Sequence, residues 1–134
     1  IGSLAARLRT NNVSEDIAIP ISKVPDLLTG ISKIVEAKGL PFVVFGHAGD
    51  GNLHLNVTAE SREDRDRVEE GIGEILKLVL SLGGTLSGEH GIGLSKQPYM
   101  DLAVSKETVK LMADIKRALD PNGVLNPGKI FDLN

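Results

Sequence analysis

All three histidines of this chain lie in two glycine-rich segments. The first reads Gly46-His47-Ala48-Gly49-Asp50-Gly51-Asn52-Leu53-His54-Leu55-Asn56, the second Ser87-Gly88-Glu89-His90-Gly91-Ile92-Gly93. Each sets an imidazole close to a carboxylate, among glycines that let the backbone turn tightly and approach another group closely. Histidines kept for packing would be scattered. Their concentration points to one polar site assembled from two distant loops.

The first segment has the form of a β-hairpin, and the hairpin decides which side chains can act together. Pairing Phe42–His47 against Asn52–Val57, with residues 48–51 as the turn, puts His47 opposite Asn52. Residues two apart on a strand share a face, so His47, Asn52, His54 and Asn56 project to one side. Diagonal neighbours of this kind are about 7–8 Å apart at the backbone, close enough for two imidazoles to converge on one ion. Leu53, Leu55 and Val57 point the other way. A slip of one residue would expose them and bury the asparagines, so the register that satisfies packing also builds a polar stripe on the open face.

Two imidazoles and one carboxylate form a ligand set suited to Zn²⁺ or another divalent first-row cation, with a coordination position left open. Glu89, after a short strand, is the candidate third ligand beside His47 and His54. His90 is then free to act as a base on the same substrate. The glycines themselves are not a dinucleotide fingerprint. Both segments run Gly-x-x-Gly-x-Gly, and neither opens a helix after a parallel strand. Asp50 reads as a turn residue, and the charges over Arg62–Glu70 as a solvated helix face.

The flanking elements follow from periodicity. Glu15–Ile21 alternates, with Ile17, Ile19 and Ile21 on one side of an expected strand. Pro25 opens a helix with a stripe of Val24, Leu27, Leu28, Ile31, Ile34 and Val35 that ends near Lys38-Gly39. Ser61 caps a second helix, with Glu63 and Asp64 in its first turn and a stripe of Val68, Ile72, Ile75, Leu76 and Val79. Thr85–Ser87 is an expected short strand. Ser105 caps a last helix carried by Leu111, Met112, Ile115 and Leu119, and Asp120-Pro121-Asn122-Gly123 turns the chain into a C-terminal tail. The expected class is α+β, a ferredoxin-like βαββαβ unit. It has an antiparallel sheet, helices on one face, and a C-terminal helix and tail. Residues 1–13 are expected to be irregular and 14–134 to form the domain.

Bulk properties narrow the function. The 134 residues suit one compact domain. A net charge of −3 without a basic cluster, and only four aromatic residues (Phe42, Phe45, Phe131, Tyr99), argue against nucleic acid as a partner. The chain has no cysteine, which fits a reducing compartment, and a cytoplasmic location is the expectation. No apolar run reaches the roughly 20 residues a membrane helix requires, although peripheral membrane attachment stays open. Self-association also stays open. The first residue is Ile1, so the chain is expected to be a fragment or a processed product.

Three ordered motifs resemble a known family. These are His47-Ala48-Gly49-Asp50-Gly51-Asn52-Leu53-His54, Gly88-Glu89-His90-Gly91-Ile92-Gly93, and the run Asp120-Pro121-Asn122-Gly123-Val124-Leu125-Asn126-Pro127-Gly128-Lys129-Ile130-Phe131. Together with Glu15-Asp16-Ile17-Ala18-Ile19-Pro20, they are similar to the C-terminal cap domain of FAD-linked oxidases over about residues 14–131. That family includes D-lactate dehydrogenases, glycolate oxidase large subunits and D-2-hydroxyglutarate dehydrogenases of the vanillyl-alcohol oxidase group.

The resemblance implies His47, His54 and Glu89 as ligands of a divalent metal, Zn or Mn. It implies His90 as the base for the substrate hydroxyl, Asn56 as a substrate contact, and Asn126 in a tail facing the flavin. It also implies oxidation of a D-2-hydroxy acid, with FAD held mainly by an N-terminal FAD-binding domain that these residues do not include. This chain alone would then be inactive. Asn56 leans toward hydroxyglutarate-type enzymes and Gly88 toward glycolate and lactate types, so the substrate is left undecided. A stand-alone ferredoxin-like metal-binding or regulatory module, or a small metal hydrolase, would use the same cluster without flavin.

Overall fold

The computed structural model describes residues 12–47 and 49–131. The chain divides into two compact units, residues 1–90 and 91–134.

The first unit runs β1 (Asn12–Ala18), α1 (Val24–Ala37), β2 (Phe42–His47), β3 (Asn52–Thr58) and α2 (Arg62–Ser81). Its strands form an antiparallel sheet in the order β1-β3-β2, making this an α+β fold. The central strand carries the chemistry. Its Leu53, Leu55 and Val57 are buried on the helix side with Leu27, Ile31 and Val35 of α1 and Val68, Ile72, Ile75, Leu76 and Val79 of α2. Each such side chain contributes about 1.5–3 kcal/mol by leaving water, enough to hold the register of β3 against a slip.

The hairpin register is the expected one: His47 pairs with Asn52, Phe45 with His54 and Val43 with Asn56. Gly51 closes the turn at φ +76°, a conformation that side chains with a Cβ rarely adopt, and its amide reaches the His47 carbonyl at 3.1 Å. Asp50 is a turn residue, its Oδ1 accepting the Asn52 amide at 3.0 Å. Helix α2 begins with a capping box in which the Ser61 hydroxyl accepts from the Asp64 amide and the Asp64 carboxylate accepts from the Ser61 amide.

Three boundaries differ from expectation. β1 spans Asn12–Ala18 rather than residues 15–21, and Ile21 is 55% exposed. Pro20, with no amide to donate, breaks the strand, and Ile21–Lys23 forms a 3₁₀ turn. Asn12 and Val13 are thus strand rather than irregular, while residues 1–11 of the expected irregular segment lie outside the described residues. The strand expected at Thr85–Ser87 is present only as one antiparallel bridge, Ala18 with Thr85, on the free edge of β1. That position is consistent with a ferredoxin-like arrangement. From Gly88 to His90 the backbone amides turn to a side chain of β1 instead of a strand.

The second unit contains a 3₁₀ turn (Gln97–Tyr99), α3 (Met100–Ala103) and α4 (Lys106–Leu119). Ser105 caps α4 as expected, its hydroxyl accepting the Thr108 amide at 3.2 Å. The apolar stripe of α4 is not a buried one: Leu111, Ile115 and Leu119 are all exposed. No helix among the described residues is long and apolar enough to cross a membrane.

Candidate metal centre

The polar stripe exists, but its face is not open. His54 is 9% exposed and Asn52 8%. Residues 85–90 cross over β3, and the tightest point of that crossing is Gly88, where an added Cβ would come within 2.6 Å of the Asn52 side-chain oxygen. A glycine is needed there for close approach, not for its dihedral freedom.

His54 is the centre of the cluster. Its Nε2 lies 3.3 Å from Glu89 Oε1, and His47 Nε2 lies 3.8 Å from the same oxygen. The imidazole of His90 stacks on that of His54 at 5.3 Å, His47 meets it edge-on at 5.7 Å, and Phe45 tilts against it at 5.3 Å. The ligating atoms of His47, His54 and Glu89 all fall within 4.8 Å of one another. Ligands bound at about 2.1 Å around one first-row cation stand roughly 3.0–3.4 Å apart, so these three residues fit a divalent cation with little movement. His47 and Glu89 are exposed, which leaves the outer side of such a cation accessible.

Asp16 was not singled out from the sequence, yet it organises this loop. It pairs with His54 in the β1–β3 register and is 1% exposed. Its Oδ2 accepts from the Ser87 hydroxyl at 2.8 Å and from the amides of Gly88, Glu89 and His90 at 2.9, 2.8 and 2.8 Å. Its Oδ1 faces His54 Nδ1 at 3.7 Å. Burial opposes its charge. The His90 and Glu89 amides, the Ser87 hydroxyl and the His90 ring outweigh that and hold the carboxyl well below the usual range.

Asp16, His54 and His90 make a second compact group of cation-binding atoms. Asp16 is the weaker ligand of the two carboxylates, because its Oδ2 is already engaged by four donors and it has almost no exposed surface. The signal that could have found Asp16 was an acid directly before the apolar Ile17-Ala18 end of β1, but its meaning depends on the β1–β3 register and on where residues 85–90 cross.

Of the other residues expected at a site, Asn56 lies on the His54 face one repeat further along β3 and is partly exposed. Asn126 belongs to the second unit, where it is an exposed turn residue at φ +49°.

Comparison with known proteins places these motifs. The family described as FAD linked oxidases, C-terminal domain, matches residues 1–130. The chain is 40% identical over 131 residues to the glycolate oxidase subunit GlcD of Bacillus subtilis, covering 96% of this chain and 28% of that protein. It is 39% identical over 119 residues to the mitochondrial D-lactate dehydrogenase (cytochrome) of Kluyveromyces lactis, covering 89% of this chain and 20% of that protein. It is also 38% identical over 122 residues to the D-2-hydroxyglutarate dehydrogenase of Stutzerimonas stutzeri, covering 87% and 26% respectively. The chain therefore spans no more than 28% of the length of these relatives.

Proposed function

The chain belongs to the family of FAD-linked oxidase C-terminal domains, and from that premise we propose that it is the substrate- and cation-binding cap of a flavin-dependent oxidoreductase. The reaction is oxidation of a D-2-hydroxy acid or glycolate to the 2-oxo acid. The names of the three relatives support this substrate class. The observation that carries the reading is the convergence of His47, His54 and Glu89 to within 4.8 Å. A Zn²⁺ or Mn²⁺ ion there would supply Lewis acidity, and FAD on a partner domain of the same enzyme would accept the hydride.

The chain's own residues have separable tasks. His47, His54 and Glu89 hold the cation. His90, stacked on His54 and exposed on its other side, takes the hydroxyl proton of the substrate onto its ring nitrogen. Asn56, further along the same face, contacts the substrate, and Asn126 is the tail position that faces the flavin. The cysteine-free composition favours the cytoplasm as the location.

Metal analysis of the purified chain after equilibration with Zn²⁺ and Mn²⁺ tests the reading. With FAD and D-lactate then added, the chain should carry close to one ion, lose it in His54→Ala, and show no turnover. Equal metal in the variant removes the site, and flavin-dependent turnover by the isolated chain contradicts its role as a cap.

A further inference from the structure

We propose that Asp16 is the positioning residue of this centre. In this role Oδ2 gathers residues 87–90 so that Glu89 and His90 stand over His54, while Oδ1 backs the Nδ1 of the same imidazole. The second half rests on the cation reading above, whereas the first does not.

A carboxylate on a strand position with 1% exposure is retained only when it is hydrogen-bonded, since an unpaired buried charge is strongly destabilising. Asp16 is well supplied with donors. Three successive amides, those of Gly88, Glu89 and His90, converge on one oxygen together with the Ser87 hydroxyl. Consecutive amides arranged in this way form an anion-binding concavity. Here the anion is a side chain more than 70 residues earlier in the chain, so the contact ties the second histidine motif to β1. Two of the three amides belong to Glu89 and His90 themselves. Anchoring their backbone fixes where the candidate ligand and the candidate base begin.

The other oxygen acts on His54. With a cation held between Glu89 and His54 Nε2, the ring proton would sit on Nδ1, and the Asp16 Oδ1 that faces this nitrogen at 3.7 Å is the carboxylate placed to support it. Asp16 thus holds the loop through one oxygen and faces the ring nitrogen opposite the candidate ligand atom with the other. Its register partner on β3 is His54 itself, so a shift of β1 would undo both at once.

The test uses the 134-residue chain as wild type, Asp16→Asn and Ser87→Ala. The readouts are amide exchange at residues 88–90, the ¹⁵N signals of the His54 ring, and titration with Zn²⁺. Asparagine keeps the shape but cannot serve the amides as an ionised acceptor. Asp16→Asn should speed exchange at 88–90 while strand β3 stays protected. It should also shift the His54 Nδ1 signal of the Zn²⁺-loaded chain and weaken Zn²⁺ binding by about 10–100-fold. Ser87→Ala removes one donor and leaves the charge. It should speed the same amides by about fivefold, the loss of one hydrogen bond, and it decides the matter if Asp16→Asn does not fold.

Unchanged exchange and unchanged Zn²⁺ affinity would overturn the proposal. So would loosened amides with wild-type Zn²⁺ affinity and an unshifted His54 Nδ1 signal, which would leave Asp16 a plain structural anchor. If the wild type takes up no Zn²⁺, the cation reading fails instead, and Asp16 is judged on amide exchange at residues 88–90 alone.

Discussion

His54 and Asp16 show how much a single buried position can be asked to do. His54 touches three rings and faces two carboxylates, so its orientation is determined from every side. The clustering of the three histidines and Glu89 was legible in the sequence because it depends on short-range spacing: two residues per strand repeat, and adjacent positions for Glu89 and His90. Asp16 was not legible, because its partners lie on a segment that only the folded sheet brings to it. A second buried carboxylate, Asp120, works similarly within the C-terminal unit. It accepts from the Lys116 ammonium and from the amides of Val124 and Leu125, the latter two at 3.1 and 2.9 Å. The Lys116 contact first, then the Leu125 amide, hold its carboxyl below the ordinary value. Because its folded pKa is depressed, its contribution is present above the unfolded value of about 3.9 and is lost as pH falls below it toward the folded value. Amide exchange at Val124 and Leu125, corrected for intrinsic rates, should therefore accelerate below about pH 4. Asp120→Asn should be fast throughout and lack that pH dependence. A wild type with no acid limb at these amides would contradict the assignment.

At the scale of elements, the pieces set by local chemistry came out as read. The β2–β3 register is the one the hairpin pattern predicts, and the stripe of α2 is buried. What sequence could not give was how strongly residues 85–90 would pair. The expected strand Thr85–Ser87 is reduced to a single bridge at Thr85, and three residues on, the amides of Gly88, Glu89 and His90 converge on the Asp16 carboxylate instead of extending a ladder. The helix α4 is a second case. Its periodicity forecast a helix correctly but could not say whether the apolar face would be covered, and Leu119 is 78% exposed. The start of α2 is the element most open to a stability test. Ser61→Ala removes the hydroxyl that accepts the Asp64 amide and should cost about 1 kcal/mol in denaturant unfolding. A loss below a few tenths would mean that the capping box does not hold this helix end.

For the whole molecule, the candidate centre lies within the first unit alone, since β1, the β2–β3 hairpin and residues 85–90 all belong to it. The second unit carries the Asp-Pro-Asn-Gly turn and the tail, with its own hydrogen-bonded anchor at Asp120. The chain spans 20–28% of the length of the compared relatives. Under the proposed function its part is a set of candidate ligands and a candidate base presented on the sheet. The proposed function requires that His47, His54 and Glu89 share one cation, and anomalous diffraction at the zinc edge, from crystals of this chain equilibrated with Zn²⁺, reads this out. The expected result is a peak bonded to the Nε2 atoms of His47 and His54 and to the Glu89 carboxylate. A peak among Asp16, His54 and His90, or no peak on the β3 face, would contradict it.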